Sequence, residues 1–203
     1  MYAESDMAAP AATVQNALQE DLRTPEDILV GLRLLRFVHW SFAGHEKRGS
    51  IVMHKIAMPA TRAYFRLAYK LKFPIHSAYP INRYGWSDEK SLACNNSCGH
   101  NMRRIDDGTG RWSLHAIGCA KDTNPMQNPC LIFDETGQEV KRQPTLGVYD
   151  KSFPGTLTLD HPLVKVMEDH GFVWGGTWTT LKDYQHFQMD RAILPEYLAR
   201  YVN

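Results

Sequence analysis

The sequence predicts an α+β fold, a small antiparallel sheet flanked by helices, on three observations. Residues 59–71 (PATRAYFRLAYKL) place apolar side chains at 60, 64, 67, 68 and 71, the spacing of a helix with one buried face. Residues 32–42 (LRLLRFVHWSF) and 50–54 (SIVMH) carry β-branched and aromatic side chains around a polar, glycine-bounded turn at 44–49, which reads as a hairpin. Near the C-terminus, Phe172-Val173-Trp174 and the run from Tyr184 to Met189 supply the last core strands.

The remaining elements follow in order. Thr24-Pro25-Glu26-Asp27 is a helix start, with Thr24 as cap, proline in the first turn and acid just after, and Gly31 keeps that helix short. The helix over 59–71 ends at Phe73-Pro74, because a residue before proline disfavours helical geometry, and a strand near 74–79 follows. Residues 80–112 read as a long irregular stretch, the kind that is often functional. From Asn124 to about 157 the chain is turn-rich and reads as a loop over a site. Asp160-His161-Pro162 opens a helix over 162–170 that Gly171 closes, and 191–203 forms a short terminal helix.

Composition bounds the function. A chain of 203 residues that is 43% hydrophobic can bury one core, so a single domain is expected over 24–203, preceded by an N-terminal extension, 1–23. Lys plus Arg number 23 against 22 Asp plus Glu with no basic block, which gives nucleic-acid binding no electrostatic support. No apolar run approaches a membrane span. The first residues lack a basic start and an apolar centre, so no intact secretory signal is read there. Cys94, Cys98, Cys119 and Cys130 allow two disulfides in any of three pairings, and disulfides are expected over free thiols, which suits a periplasmic or extracellular working site.

Residues 113–122 (SLHAIGCAKD) hold the chemistry. Their pattern, S-x-H-x-x-G-x-A-x-D, has a distant counterpart in Asp183-Tyr184-Gln185-His186-Phe187-Gln188. His115, Asp122 and His186 together offer two imidazoles and a carboxylate, the donor set of a catalytic zinc ion with one position left open. Asp183 is a spare carboxylate beside them, suited to general-base work. A strand through 119–123 puts Ala120 and Asp122 on one face and Cys119 and Lys121 on the other. The small Ala120 leaves room for substrate, and Gly118 permits the bend between His115 and that strand. The seven other histidines (His39, His45, His54, His76, His100, His161, His170) lack matched spacing and read as structural or exposed, with His100 the nearest to the site motifs.

These two segments resemble the zinc D-alanyl-D-alanine carboxypeptidase (VanY-type) superfamily, whose endopeptidase branch includes phage endolysins that cut L-alanyl-D-glutamate bonds. Trp174-Gly175-Gly176-Thr177-Trp178, Asn95-Asn96-Ser97 and Asn101-Met102-Arg103 add to the resemblance, which spans roughly residues 30–190. It implies a Hedgehog-like DD-peptidase fold, zinc held by His115, Asp122 and His186, and Asp183 as general base. Arg103 takes the place of the family's upstream arginine, with Arg104 as the neighbouring alternative; a guanidinium there stabilises the oxyanion or pins a substrate carboxylate. Ser113 is expected to bond a ligand or substrate amide. Trp174 and Trp178 wall a groove for substrate or are core aromatics beside turn glycines. Cys119 and Lys121 stand where the family has apolar residues, and a rotated strand would bring Lys121 into the site.

The implied substrate is the peptidoglycan stem peptide, cut by an L-alanyl-D-glutamate endopeptidase, with a D,D-carboxypeptidase as the alternative. Such a peptidase serves as endolysin, wall remodeller or antibacterial toxin, and a toxin would have an immunity protein as partner. A zinc-bearing binding module without catalysis is the reading from another class.

Overall fold

The computed structural model describes residues 24–105 and 108–203; the extension expected over 1–23, and the reading of its secretory pattern, lie outside them. The described residues form an α+β fold of four small sheets and five α-helices joined by short 3₁₀ turns. Three of the sheets are antiparallel.

The chain begins with α1 (Glu26–Leu29), as short as expected, but Thr24 is not its cap. The Pro25 carbonyl accepts from Ile28 and Leu29, and the Thr24 hydroxyl lies 3.2 Å from the His100 ring instead. Strands β1 (Leu32–Trp40) and β2 (Glu46–His54) form the hairpin, in register from Leu32↔His54 to Trp40↔Glu46. Its turn is shorter than the sequence suggests. Glu46, Lys47 and Arg48 are exposed strand residues that run past the edge of the core, so their polarity resembles that of a turn.

Helix α2 (Met58–Lys70) starts with Pro59 in its first turn and buries Met58, Ala60, Thr61, Tyr64, Phe65 and Ala68. It lies across β1, where the Phe65 ring stacks on Phe37 at a centroid separation of 3.7 Å. Burying an aromatic side chain of this size contributes roughly 2–3 kcal/mol. Beyond it, β3 (Ser77–Ala78) pairs in parallel with β4 (Asn96–Ser97).

Between those strands the stretch read as irregular contains a 3₁₀ turn, Ile81–Tyr84, and a helix, α3 (Asp88–Ala93). Ser87 caps α3 by accepting from the Lys90 amide at 3.2 Å, with Asp88 and Glu89 in the first turn. Helix α4 (Pro162–Glu168) is capped by the His161 ring, which accepts from the Leu163 amide at 3.1 Å, and α5 (Glu196–Val202) closes the chain. No helix among the described residues is long and apolar enough to cross a membrane.

Two three-stranded sheets frame the site. In the first, β10 (His186–Met189) lies between β5 (Ala120–Asp122) and β8 (Phe172–Trp174). In the second, β6 (Cys130–Phe133) lies between β7 (Glu139–Gln143) and β9 (Leu181–Asp183). Two strands of this second sheet, β6 and β7, fall within the segment expected to be loop. β7 reads Glu-Val-Lys-Arg-Gln with its first three residues exposed, so it carries no buried alternation for a sequence to display. The signal that was available is the turn: the Asp134 carboxylate accepts from the amides of Thr136 and Gln138, and Gly137 takes φ +82°.

All four cysteines are free thiols, which corrects the expectation of disulfides. Cys98, Cys119 and Cys130 are buried separately in the fold, and burial pushes the thiol of each well above its ordinary pKa, so they are poor nucleophiles.

Candidate metal centre and active site

Three side chains from two regions of sequence meet in the first sheet. Asp122, the last residue of β5, is the register partner of His186, the first of β10. Residues directly opposite across an antiparallel pair project to the same face, so the carboxylate and imidazole are side by side. His115 arrives from the turn before β5. Gly118, at φ +69°, makes the bend between them. A Cβ on Gly118 would stand 2.6 Å from the His54 backbone nitrogen, so glycine is required both by conformation and by space.

The geometry is tight. His115 Nε2 lies 3.2 Å from His186 Nδ1 and 3.3 Å from Asp122 Oδ2, and His186 Nδ1 lies 3.0 Å from Asp122 Oδ1. All three residues are buried, and one potential ligand atom from each falls within 4.8 Å of the others. The remaining ring nitrogens are also engaged. His115 Nδ1 is 2.6 Å from the Gly99 carbonyl, and His186 Nε2 is 3.1 Å from Gln188 Oε1.

This donor set fits a metal cation. With the His115 Nδ1 proton on the Gly99 carbonyl, Nε2 turns a lone pair toward the Asp122 carboxylate and His186 Nδ1. Converging lone pairs need a shared proton or a cation to hold them together. Burial opposes the charged His186 ring, but the Asp122 carboxylate raises its pKa above the ordinary value. Burial likewise opposes the Asp122 anion, yet the two imidazoles hold it well below the usual carboxylate range. Two imidazoles and one carboxylate are the ligand types of catalytic zinc sites.

A cavity of about 730 Å³ opens on this cluster, lined by Asp122 and His186 and also by Gln143, Pro144 and Leu146 at and just after the end of β7. Asp183 enters it from β9. Its Oδ1 is buried without a hydrogen-bond partner. Burial pushes its pKa up to about 6, aided by the Asp122 charge and opposed by His186 and Arg103. A carboxylate with that value titrates close to neutrality and has a free oxygen to accept a proton.

Arg103 and Arg104 both line the cavity, in different settings. Arg103 Nε lies 3.2 Å from Asp88 Oδ2. Burial acts against its charge, but Asp88, Asp122 and Asp183 more than offset that and raise its pKa. Arg104 is exposed and stacks over the Trp112 ring at 4.1 Å. Asp88 also accepts from the Asn101 amide at 3.0 Å, so the first turn of α3 holds the arginine segment in place. Asp88 went without a role in the sequence because its helix was read as irregular chain.

Ser113 lines the cavity and its Oγ accepts from the His115 amide at 3.2 Å, which fixes the backbone that carries the imidazole. Trp178 also lines the cavity, with its ring 5.4 Å from that of His186. Trp174 does not. It is 3% exposed, packs in the core and donates its indole N–H to the Tyr184 carbonyl at 2.8 Å. The glycines between the two tryptophans are explained by packing rather than by a substrate groove. A Cβ on Gly175 would stand 2.6 Å from the Asp183 carbonyl oxygen, and one on Gly176 would stand 2.4 Å from the Trp174 ring.

Lys121 points away from the cluster into the core, as the strand alternation requires. It is fully buried, donates to Thr123 Oγ1 at 2.6 Å, and sits 3.5 Å from the centroid of the Tyr64 ring. Burial lowers its pKa to about 7, against the pull of Asp122. His100 is buried against Thr24. Ala120 is fully buried opposite Gln188, so the space beside it holds that side chain.

Residues 107–189 match a family model described as D-alanyl-D-alanine carboxypeptidase, somewhat under half of the 203 residues. No curated protein and no solved structure matches the chain. The matched segment contains His115, Asp122, Asp183 and His186, whereas Asp88 and Arg103 lie upstream of it. The resemblance to VanY-type peptidases is thereby borne out over residues 107–189.

Proposed function

We propose that this protein is a zinc-dependent hydrolase that cuts the stem peptide of bacterial peptidoglycan, as an L-alanyl-D-glutamate endopeptidase. The observation that carries the reading is the convergence of His115, Asp122 and His186 beside a cavity that also receives Asp183, within a segment matching a peptidase family. The α+β architecture agrees with a Hedgehog-like DD-peptidase fold over a single domain, 24–203.

His115, Asp122 and His186 are the residues that would hold zinc, which when bound makes water acidic near pH 7 and polarises a carbonyl. Asp183 accepts the proton of the attacking water and returns it to the leaving amine. Its buried, unpartnered Oδ1 and near-neutral pKa suit both transfers. Arg103, held by Asp88, presents its guanidinium to the oxyanion or to a substrate carboxylate. Ser113 holds the His115 backbone, and Trp178 covers one side of the His186 ring. Trp174 acts only through packing.

Stem-peptide cleavage places the work in the periplasm or at the cell wall, as endolysin, wall remodeller or antibacterial toxin; in the last role an immunity protein would be its partner. D,D-carboxypeptidase activity is the second reading, favoured by the description of the matching family. The test is a digest of purified peptidoglycan with and without chelator, read by mass spectrometry. New amino-terminal D-glutamate is expected, and released terminal D-alanine would assign the carboxypeptidase. Absence of any chelator-sensitive product from several wall types would leave a zinc-bearing binding module.

A further inference from the structure

The two imidazoles of the cluster are oriented by different kinds of group. His115 Nδ1 meets a backbone carbonyl, that of Gly99, which no substitution removes. His186 Nε2 meets a side chain, Gln188 Oε1, at 3.1 Å. The His186 ring faces the cluster through Nδ1, which is 3.0 Å from Asp122 Oδ1 and 3.2 Å from His115 Nε2. To offer a lone pair there, the neutral ring must carry its proton on Nε2. That N–H needs an acceptor in a buried setting, and Gln188 supplies it.

The placement follows from the strand. Residues 186 and 188 of β10 lie two apart and share a face. Gln188 is the register partner of Ala120 on β5, and a methyl group there leaves space for the longer amide to turn back along its own strand toward His186. Gln188 also lines the cavity, so it has not been drawn into the core beneath.

We infer that Gln188 is a positioning residue that holds His186 in the Nε2-protonated tautomer and thereby sets the metal affinity of the site. The inference rests on the metal-site reading above. It concerns affinity and tautomer, not the bond that is cut. Because a carboxylate is a stronger acceptor than an amide, Glu at this position would do the same work, whereas an apolar side chain of similar size would not.

The experiment is a competition titration of zinc against a chelating dye with the full chain, comparing wild type, Gln188→Leu and Gln188→Glu. Gln188→Leu is expected to bind zinc about 10- to 100-fold more weakly, the usual loss when the acceptor behind a ligating histidine is removed. Gln188→Glu is expected to match or exceed the wild type. Wild-type affinity in the Leu variant, or an equal fall in both variants, would overturn the assignment. Nitrogen-15 spectra of the zinc-loaded wild type give an independent reading that needs no variant to fold. A protonated, hydrogen-bonded Nε2 on His186 is expected, and a proton-free Nε2 would overturn the inference. Wild-type chain that binds no zinc overturns this inference together with the metal site. Zinc binding without wall digestion sinks the peptidase reading and leaves Gln188 in place.

Discussion

Asp122 and His186 are register partners across β5 and β10, with Oδ1 and Nδ1 3.0 Å apart, while the neighbouring partners Lys121 and Phe187 face the other way. One antiparallel ladder therefore builds two environments. Above it is the polar cluster, and below it Lys121 is enclosed by Tyr64, Phe65 and Phe187. A slip of one residue would exchange the two sets, placing an ammonium among the ligands and a carboxylate in the core. Four features of this arrangement lead to measurable expectations.

The backbone at Gly118 is the narrowest tolerance in the site. Gly118→Ala meets both an unfavourable positive φ and a contact with the His54 backbone. A loss of at least about 2 kcal/mol in unfolding free energy is expected, with weakened zinc binding, because His115 is displaced. Denaturant unfolding of the metal-free variant checks it, and wild-type stability would show that the bend relaxes elsewhere.

Asp183 should make the metal-free protein less stable as pH rises. Its pKa is raised from 3.8 to about 6 by burial, so the folded state binds the proton more tightly than the unfolded state between those values. The unfolding free energy contributed by this group therefore falls from about pH 4 to 6 and is lost above, by on the order of 3 kcal/mol. Asp183→Asn should lack that slope, be more stable than wild type at pH 7, and hydrolyse nothing. Parallel pH–stability curves for the two proteins would refute the assignment of the buried proton.

The Arg103–Asp88 pair should act on turnover rather than on metal. Arg103→Lys is expected to lower kcat by about 10²-fold, the usual scale for loss of an oxyanion donor. Asp88→Asn leaves the guanidinium without its nearest carboxylate and should lower kcat about tenfold or more through misplacement. Both should bind zinc like the wild type. Full activity in Arg103→Lys would move the role to Arg104.

Lys121 is expected to be dispensable. Lys121→Met keeps the length and apolar bulk of the side chain and removes a buried ammonium whose charge burial disfavours. Replacing a buried charge by an apolar isostere is commonly neutral or stabilising by about 1–4 kcal/mol. Thermal melts of the metal-free proteins measure this. A drop of several degrees in the variant would mean that the ring contacts with Tyr64 outweigh the cost of burial.

Much of this was legible in the residues. The cluster of His115, Asp122 and His186 showed in the spacing of 113–122 and 183–188, and helix α2 showed because its buried face has a clear 3.6-residue period. The second sheet was hidden for a physical reason. β7 is exposed, β9 is three residues long, and neither buries an alternating face that a pattern could reveal. Asp88 was hidden with α3, a helix of only six residues recognisable chiefly by its Ser87 cap. Trp174 illustrates the converse. Its motif left substrate wall and core aromatic equally open, and an indole with a satisfied N–H and 3% exposure is a core residue. Gln188 follows His186 by two residues, and the two-residue period of a strand was enough to place both on one face.

Asp122 and His186 belong to one sheet and Asp183 to another, and Tyr184 and Gln185 link β9 to β10. The β6–β7 arm, whose Gln143 lines the cavity together with Pro144 and Leu146 just after it, carries none of His115, Asp122 and His186. Divergence in what the cavity accommodates would accumulate on that arm, while the β5–β10 ladder stays bound by the register that sets Asp122 beside His186.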